Sequence, residues 1–327
     1  MSKEEPASLG LGKLPPKQLQ MKILRFIGSE RPEVKIGPKI GEDAAVIDWP
    51  EGKFLVVSSD PIVGAKRGAG KLLVLVNSND IFSKGGEPAY LVVTMILPVK
   101  EGAEQASRLM AEIDEACREA GIAIVGGHTE FTDRYDAPVL AGTIFGTAPK
   151  VLKSEDVRPG DFLLMTKHAG LEGMTILAQD RPDLLATCLE AGEVAEVRSW
   201  TTSLSIGPEA RCLGPMARFM HDPTEGGVLG GLSEIACQVP WGLELDPGSI
   251  QVHPLTLKAS HKLGFDPLRL ISSGVLLAVL PKETVEAARM ELAGKGIPSS
   301  VIGKVVEGKG NCPESFTEEL WGLLARK

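Results

Sequence analysis

The run Leu91-Val92-Val93-Thr94-Met95-Ile96-Leu97 carries one polar side chain in seven residues. Successive side chains of a strand point to opposite faces, so a run without alternation reads as a strand with apolar surface on both sides, which needs cover above and below. Shortly after it, Glu101 to Ala120 places Ala106, Met110, Ile113, Cys117 and Ala120 on one helical stripe, and Gly121 stops the helix. The short apolar run Ile122 to Val125 then returns to the strand pattern. A covered strand, an amphipathic helix and another strand form the repeating unit of a layered α/β arrangement.

The alternation continues in both directions. Pro15 to Phe26 reads as a short helix, Lys35 to Glu42 as a Gly/Pro loop entering apolar Ala44 to Ile47, and Phe54 to Val57 as a strand. Leu72 to Val76 is read as a strand, with a helix as the alternative, and Val139 to Thr147 as a strand. The polar stretch Pro149 to Gly160 marks a change of domain. Beyond it, strands are expected at Phe162 to Thr166, Gly242 to Leu245, Gly274 to Leu280 and Ser300 to Val306. Helices are expected at Gly173 to Ala178, Pro182 to Leu189, Gly226 to Cys237, Glu283 to Ala293 and Ser315 to Leu324. At 327 residues the chain suits two cores. We therefore expect an α+β protein with domains at 1–153 and 154–327, the first of α/β type.

A formal net charge of −8 argues against a broad nucleic-acid or anionic-membrane surface, so bound phosphate should come with a cation. The five cysteines are scattered without a C-x-x-C pair, which suggests free thiols rather than disulfides or zinc. With no signal-type stretch in Met1 to Lys13 and no run of about 18 apolar residues, a cytoplasmic protein is expected.

Neither common nucleotide fingerprint is present. Gly64 to Lys71 resembles a P-loop, but its spacing is one residue too long and Leu72 stands where the metal-binding hydroxyl belongs. Four aspartates instead sit at strand edges or Gly-rich turns: Asp43 in Gly-Glu-Asp-Ala-Ala-Val, Asp60 in Ser-Asp-Pro, Asp80 in Val-Asn-Ser-Asn-Asp, and Asp222 in His-Asp-Pro-Thr-Glu-Gly-Gly. Mg²⁺ takes hard oxygen ligands, and several carboxylates on rigid elements suit a metal–nucleotide site, although each alone also reads as a turn or cap residue. Gly126-Gly127-His128-Thr129 follows a strand, where paired glycines let backbone N–H groups approach an anion. Gly226 and Gly227 open a helix whose N-terminus is suited to a phosphate.

Taken in order, these five motifs resemble the PurM-like superfamily, which includes aminoimidazole-ribonucleotide (AIR) synthetase, selenophosphate synthetase, thiamine-monophosphate kinase and the HypE hydrogenase-maturation family. The similarity runs from about Gly41 to Val306, and Asp-Pro-Thr-x-Gly-Gly points most toward HypE. The resemblance implies an amino-terminal α/β domain whose sheet pairs with that of a second subunit in a barrel, and a carboxy-terminal α+β domain. It further implies ATP between the halves in a homodimer. Asp43, Asp60, Asp80 and Asp222 would hold Mg²⁺, with Asp80 and Asp222 nearest the chemistry. Asn77, Gly126, Gly127, His128 and Thr129 would line the nucleotide, and Lys13 would close over the phosphates. The acceptor is expected to be a small molecule or to be delivered by a partner.

The chain departs from HypE at its end, Leu323-Leu324-Ala325-Arg326-Lys327, which lacks the terminal cysteine that carries the group to be dehydrated in that family; it also has Glu225 where HypE commonly has arginine. Phosphoryl transfer is compatible with these changes. Two further readings stay open: a thiamine-monophosphate-type kinase, and a nucleotide-binding regulatory partner without catalysis.

Overall fold

The computed structural model describes residues 34–326 apart from 37–38, 50–51, 64, 66 and 314–316. Lys13 and the expected helix at Pro15 to Phe26 lie outside the described residues. The first half builds a sheet in which six strands are described: β1 (Val34–Ile36), β2 (Ala45–Trp49), β3 (Lys53–Ile62), β4 (Glu87–Pro98), β5 (Ala123–Thr132) and β6 (Val139–Ala148). Their order is β1-β2-β3-β6-β4-β5; β4 and β5 pair in parallel through the crossover helix between them, and the other neighbours are antiparallel.

Among the described residues two helices, α1 (Ala69–Ser83) and α2 (Gly102–Ala120), belong to this half. The apolar run at Leu72 to Val76 is helical, not a strand, and lies inside α1. Of the fifteen residues of α1 only Lys71 and Leu75 escape full burial, so the helix has almost no solvent face to give it a helical period. Hydrophobicity all round reads the same for a buried strand and a buried helix. Gly70 permits close packing: a Cβ there would stand 2.7 Å from the Leu109 carbonyl on α2. On β4, Leu91, Val93, Met95 and Leu97 are buried, whereas Val92, Thr94 and Ile96 are half-buried. The run expected to be covered on both faces is thus sealed on one and only partly screened on the other.

After the connection come β7 (Phe162–Thr166), α3 (Leu171–Asp180), α4 (Pro182–Leu185), α5 (Ala191–Ser199), α6 (Gly207–Leu213), β8 (Phe219–His221) and α7 (Gly227–Gln238). They are followed by β9 (Gly242–Leu245), α8 (Pro254–Leu263), β10 (Leu277–Leu280), α9 (Val285–Gly294), β11 (Ser299–Val306) and α10 (Leu320–Leu324). The second sheet has the order β8-β10-β7-β11-β9 and is antiparallel throughout. Period-two alternation sends Leu163, Met165, Phe219, Leu277 and Val279 into one core with α7. Leu164, Met220, Ala278 and Leu280 enter the other, with α6 and α9.

The expected strand at Gly274 to Leu280 shortens to β10. Gly274 has φ 97° and a Cβ there would lie 2.8 Å from Leu204 Cα, so this stretch is a tight turn pressed on a neighbouring loop before the ladder begins. The two halves meet across α1. Asn79 donates to the Leu204 carbonyl and accepts from Ile206 N–H, and the Lys84 ammonium lies 4.9 Å from the Phe219 ring centre.

Candidate functional site

Asp43 sits in the short link before β2, where the first half abuts β8 of the second. Its carboxylate Oδ2 lies 3.0 Å from His221 Nδ1 and accepts the Asp222 N–H at 3.3 Å. The other ring nitrogen of His221 lies 2.8 Å from Glu234 on α7. Burial alone would depress the imidazole, yet Asp43 and Glu234 on either side push it up to about 10. Burial likewise opposes ionisation of Asp43, and His221 reverses this and holds its carboxyl below the usual range. His221 is therefore a fixed imidazolium that joins the two halves and keeps Asp43 ionised; at such a value it is a poor acid–base catalyst near neutrality. Beside it Glu42 pairs with the fully buried Lys84, a second ionic contact at the same seam.

Asp80 does not stand at a strand edge. It lies within α1, buried, where the Ser58 hydroxyl of β3 donates to its Oδ2. Asp60 on β3 is fixed from the same helix: the Asn77 side-chain oxygen accepts Asp60 N–H at 3.0 Å and its amide donates to the Asp60 carbonyl at 3.2 Å. With a third bond to the Leu73 carbonyl at 2.9 Å, Asn77 spends its amide on backbone and positions Asp60 rather than presenting a free edge.

Asp222 is fully buried; Oδ1 accepts Gly274 N–H at 3.3 Å and Oδ2 has no partner among the described residues. Burial, then the charge of Asp43 and Glu172, raises its carboxyl well above the usual range. Burial and the charges of Asp60, Asp43 and Asp222 do the same to Asp80. The four aspartates thus feel one another across the interface between the halves, and like charges in a poorly solvated place favour either protonation or a cation.

Lys167, missed in the sequence, adopts a left-handed backbone with φ 55° and donates to the carbonyls of Ser203, Ser205 and Gly274 at 2.7, 2.8 and 2.9 Å while pairing with Glu209 at 2.7 Å. It ties down the loop that carries Gly274 toward Asp222. Glu172 on α3 and Glu234 on α7 were missed as well, because neither stands in a motif.

The helix expected after Asp222 is α7, with Gly226 (φ 81°) and Gly227 (φ 63°) in left-handed turns at its start. The Gly226 N–H just ahead of the helix is not open to a phosphate, nor is the Gly227 N–H, which donates to the Thr224 carbonyl at 3.0 Å. Gly226 donates at 2.7 Å to Glu318, whose carboxylate also accepts from Ile271 and Leu320. Burial outweighs these three bonds and pushes Glu318 up to about 7.

Gly126, Gly127, His128 and Thr129 lie in the middle of β5, not in a turn after it. The strand extends because it pairs with β4 along its length, and at Gly127 a Cβ would meet the Val93 carbonyl at 2.1 Å. Ladder pairs Asp60–Gly142, Gly142–Val93 and Val93–Gly127 set Gly127 three strands from Asp60. That is about 14 Å at the usual spacing between strands. Within one chain these four residues do not join the aspartates, and His128 is exposed beside Glu130.

A cavity of about 590 Å³ opens between the halves, lined by Asp60, Val76, Glu172, Glu225, Ile271 and Trp321 among others. Among the described residues no three His, Cys, Asp or Glu side chains are close enough to hold a metal ion by themselves. The donor set still fits Mg²⁺, which normally takes one or two carboxylates and completes its shell with water and phosphate oxygens. The unpartnered Asp222 Oδ2 and the mutual repulsion of Asp80 with its neighbours are what a cation would relieve.

Residues 41–148 match the family model of the AIR synthase related protein, N-terminal domain, and residues 158–312 that of its C-terminal domain. Among curated proteins the chain is similar to carbamoyl dehydratase HypE of Cupriavidus necator, 29% identical over 82% of this chain and 77% of that one. The fold matches the crystal structure of hydrogenase maturation protein HypE in complex with ATP, with TM-score 0.66 and 26% identity over 89% of this chain and 86% of that one. It also matches AaThiL complexed with AMPPCP and TMP, TM-score 0.69, over 85% and 89% of the two chains; at 17% identity this likeness is one of fold alone.

Proposed function

Because the chain belongs to the AIR synthase related, PurM-like family and is HypE-like, we propose that it is an ATP- and Mg²⁺-dependent enzyme that moves a phosphoryl group to an oxygen of a small or partner-delivered acceptor. The observation that carries this reading is the set of buried carboxylates between the halves, with Asp80 and Asp222 driven toward protonation by their neighbours. Asp43, Asp60, Asp80 and Asp222 would hold the metal, which when bound offsets the negative charge of the phosphates.

This chain's own residues do the rest. His221 keeps Asp43 charged and in place, Asn77 locks Asp60 against α1, and Ser58 orients Asp80. Such positioning matters because phosphoryl transfer is catalysed mainly by orientation and preorganised charge. Gly126 to Thr129 are assigned to the nucleotide from the seam with a second subunit, since within one chain they stand apart from the aspartates. A thiamine-monophosphate-type kinase is the second reading, favoured by the roomy cavity beside Asp60.

Calorimetry tests the site. Asp80→Asn and Asp222→Asn are each expected to weaken Mg²⁺-dependent ATP binding by about tenfold or more, as losing a charged partner costs about 1.5–3 kcal/mol. In EDTA at pH 8, Asp80→Asn should instead raise stability by about 1 kcal/mol, because it removes one of the repelling charges. Unchanged ATP affinity in both variants removes the assignment. ATP turnover with candidate acceptors separates an enzyme from a nucleotide-binding regulator.

A further inference from the structure

Three consecutive residues of the link before β2 are each held by a different element. Gly41 turns left-handed at φ 72° and packs so closely on α7 that a Cβ there would lie 2.4 Å from Gln238 Nε2 and 3.0 Å from Glu234 Cβ. Glu42 pairs with Lys84 at the end of α1, and Asp43 lies 3.0 Å from His221 on β8. Asp43 also accepts the Asp222 N–H, so the placing of this link sets where two of the four aspartates stand relative to each other.

The middle contact is the one that stability does not explain. The side chains of Lys84 and Glu42 are 0% and 2% exposed, so both charges have left water. Desolvating two ions offsets their attraction, and a well-packed apolar pair of similar volume commonly serves the fold as well or better. The lysine is nonetheless set firmly. Gly85 N–H and Gly86 N–H bond to the Phe82 and Ile81 carbonyls at 2.8 and 3.0 Å and close α1 around it, and its ammonium lies 4.9 Å from the Phe219 ring centre. Phe219 and His221 are two apart on β8 and so share one face of that strand. This face meets Lys84 through a ring and Asp43 through an imidazolium. A charge-assisted contact fixes direction as well as distance, which an apolar contact at Glu42 would not do.

We propose that Lys84 is a positioning residue: through Glu42 it fixes the link that carries Asp43, and so the placing of Asp43 against Asp222, without adding to the stability of the fold. That the site so positioned binds a metal and ATP rests on the function proposed above.

Two variants of the full chain separate positioning from stability. Lys84→Met leaves Glu42 buried without its partner and should lower the melting temperature by about 5 °C or more. The double variant Glu42→Met/Lys84→Met, with two apolar side chains in the same space, should return to within about 3 °C of the unsubstituted protein. On that double variant Mn²⁺ binding is followed by the electron paramagnetic resonance of the free ion, and Mg²⁺-ATP binding by calorimetry. Both should stay about tenfold weaker than in the unsubstituted protein although the fold has recovered, the effect of losing a group that orients a metal ligand. Full affinity in the double variant would overturn the inference. So would a melting temperature that stays low, since the pair would then be a contact of the fold. An unsubstituted protein that binds Mn²⁺ but not ATP defeats the proposed function, while the Mn²⁺ readings still decide the role of Lys84. Binding of neither defeats both.

Discussion

In the five-stranded sheet every residue of β8 and β10 is buried, whereas β5, at the edge of the six-stranded sheet, is exposed along almost its whole length. The second sheet is covered on both faces by helices of its own chain, and its two cores take alternate residues of the same strands. Among the described residues α1 and α2 seal one face of the first sheet, and Tyr90 and Val125, with Phe131 at the edge strand, are exposed. A sheet with apolar side chains on an open flank is unfinished in a way that a twice-covered sheet is not. The second half is closed by its own chain; the first half keeps a surface for something else, and we propose that a second copy covers it.

The comparison breaks most sharply at two phenylalanines. Phe219→Ala, in the fully buried strand under Lys84, is expected to cost about 3–5 kcal/mol in denaturant unfolding. Phe131→Ala on β5 should cost under about 1 kcal/mol within the subunit. Equal losses would show that the two sheets are covered alike. A smaller effect is expected in assembly. Sedimentation should report twice the 34.7 kDa chain mass, and Val125→Lys should shift the protein toward monomer without lowering the stability of the subunit by more than about 0.5 kcal/mol. A monomer in the unsubstituted protein would mean that the exposed flank has another role.

A further effect concerns pH. Glu318, raised from the ordinary 4.5 to about 7, holds its proton more tightly when folded than when unfolded. Its contribution to stability is present in full below 4.5 and is lost as pH rises through about 7. Unfolding followed between pH 5 and 8 should show this decline, and Glu318→Gln should flatten it. An unaltered slope in the variant would assign the dependence to other carboxylates.

Where the chain keeps a solvent face, the sequence reads well. The stripe of α2 and the strands β6, β9 and β11 fall within a few residues of their expected limits, because a more exposed and a more buried side make the period visible. The reading failed where burial is complete or pairing is distant. α1 was taken first as a strand because nearly every residue is inside, and the glycines of β5 were taken as a turn although β4 draws them into a ladder. The four aspartates were legible from motifs and their order. Glu172, Glu234 and Lys167 were not, because each acquires its meaning from a residue far away in the chain; Glu234, for example, matters through His221.

The residues themselves determined that strands and helices alternate through both halves of this chain, that it belongs with the AIR synthase related proteins, and which aspartates stand in its motifs. Those follow from local side-chain chemistry, which is written in order along the chain. Only the tertiary structure decided that His221 is a cation clamped between Asp43 and Glu234, that Glu318 holds the Gly226 N–H ahead of α7, and that Gly127 stands about 14 Å from Asp60, across three strand spacings. Charge state and proximity depend on burial and on neighbours brought together by folding, and no local pattern of residues specifies either.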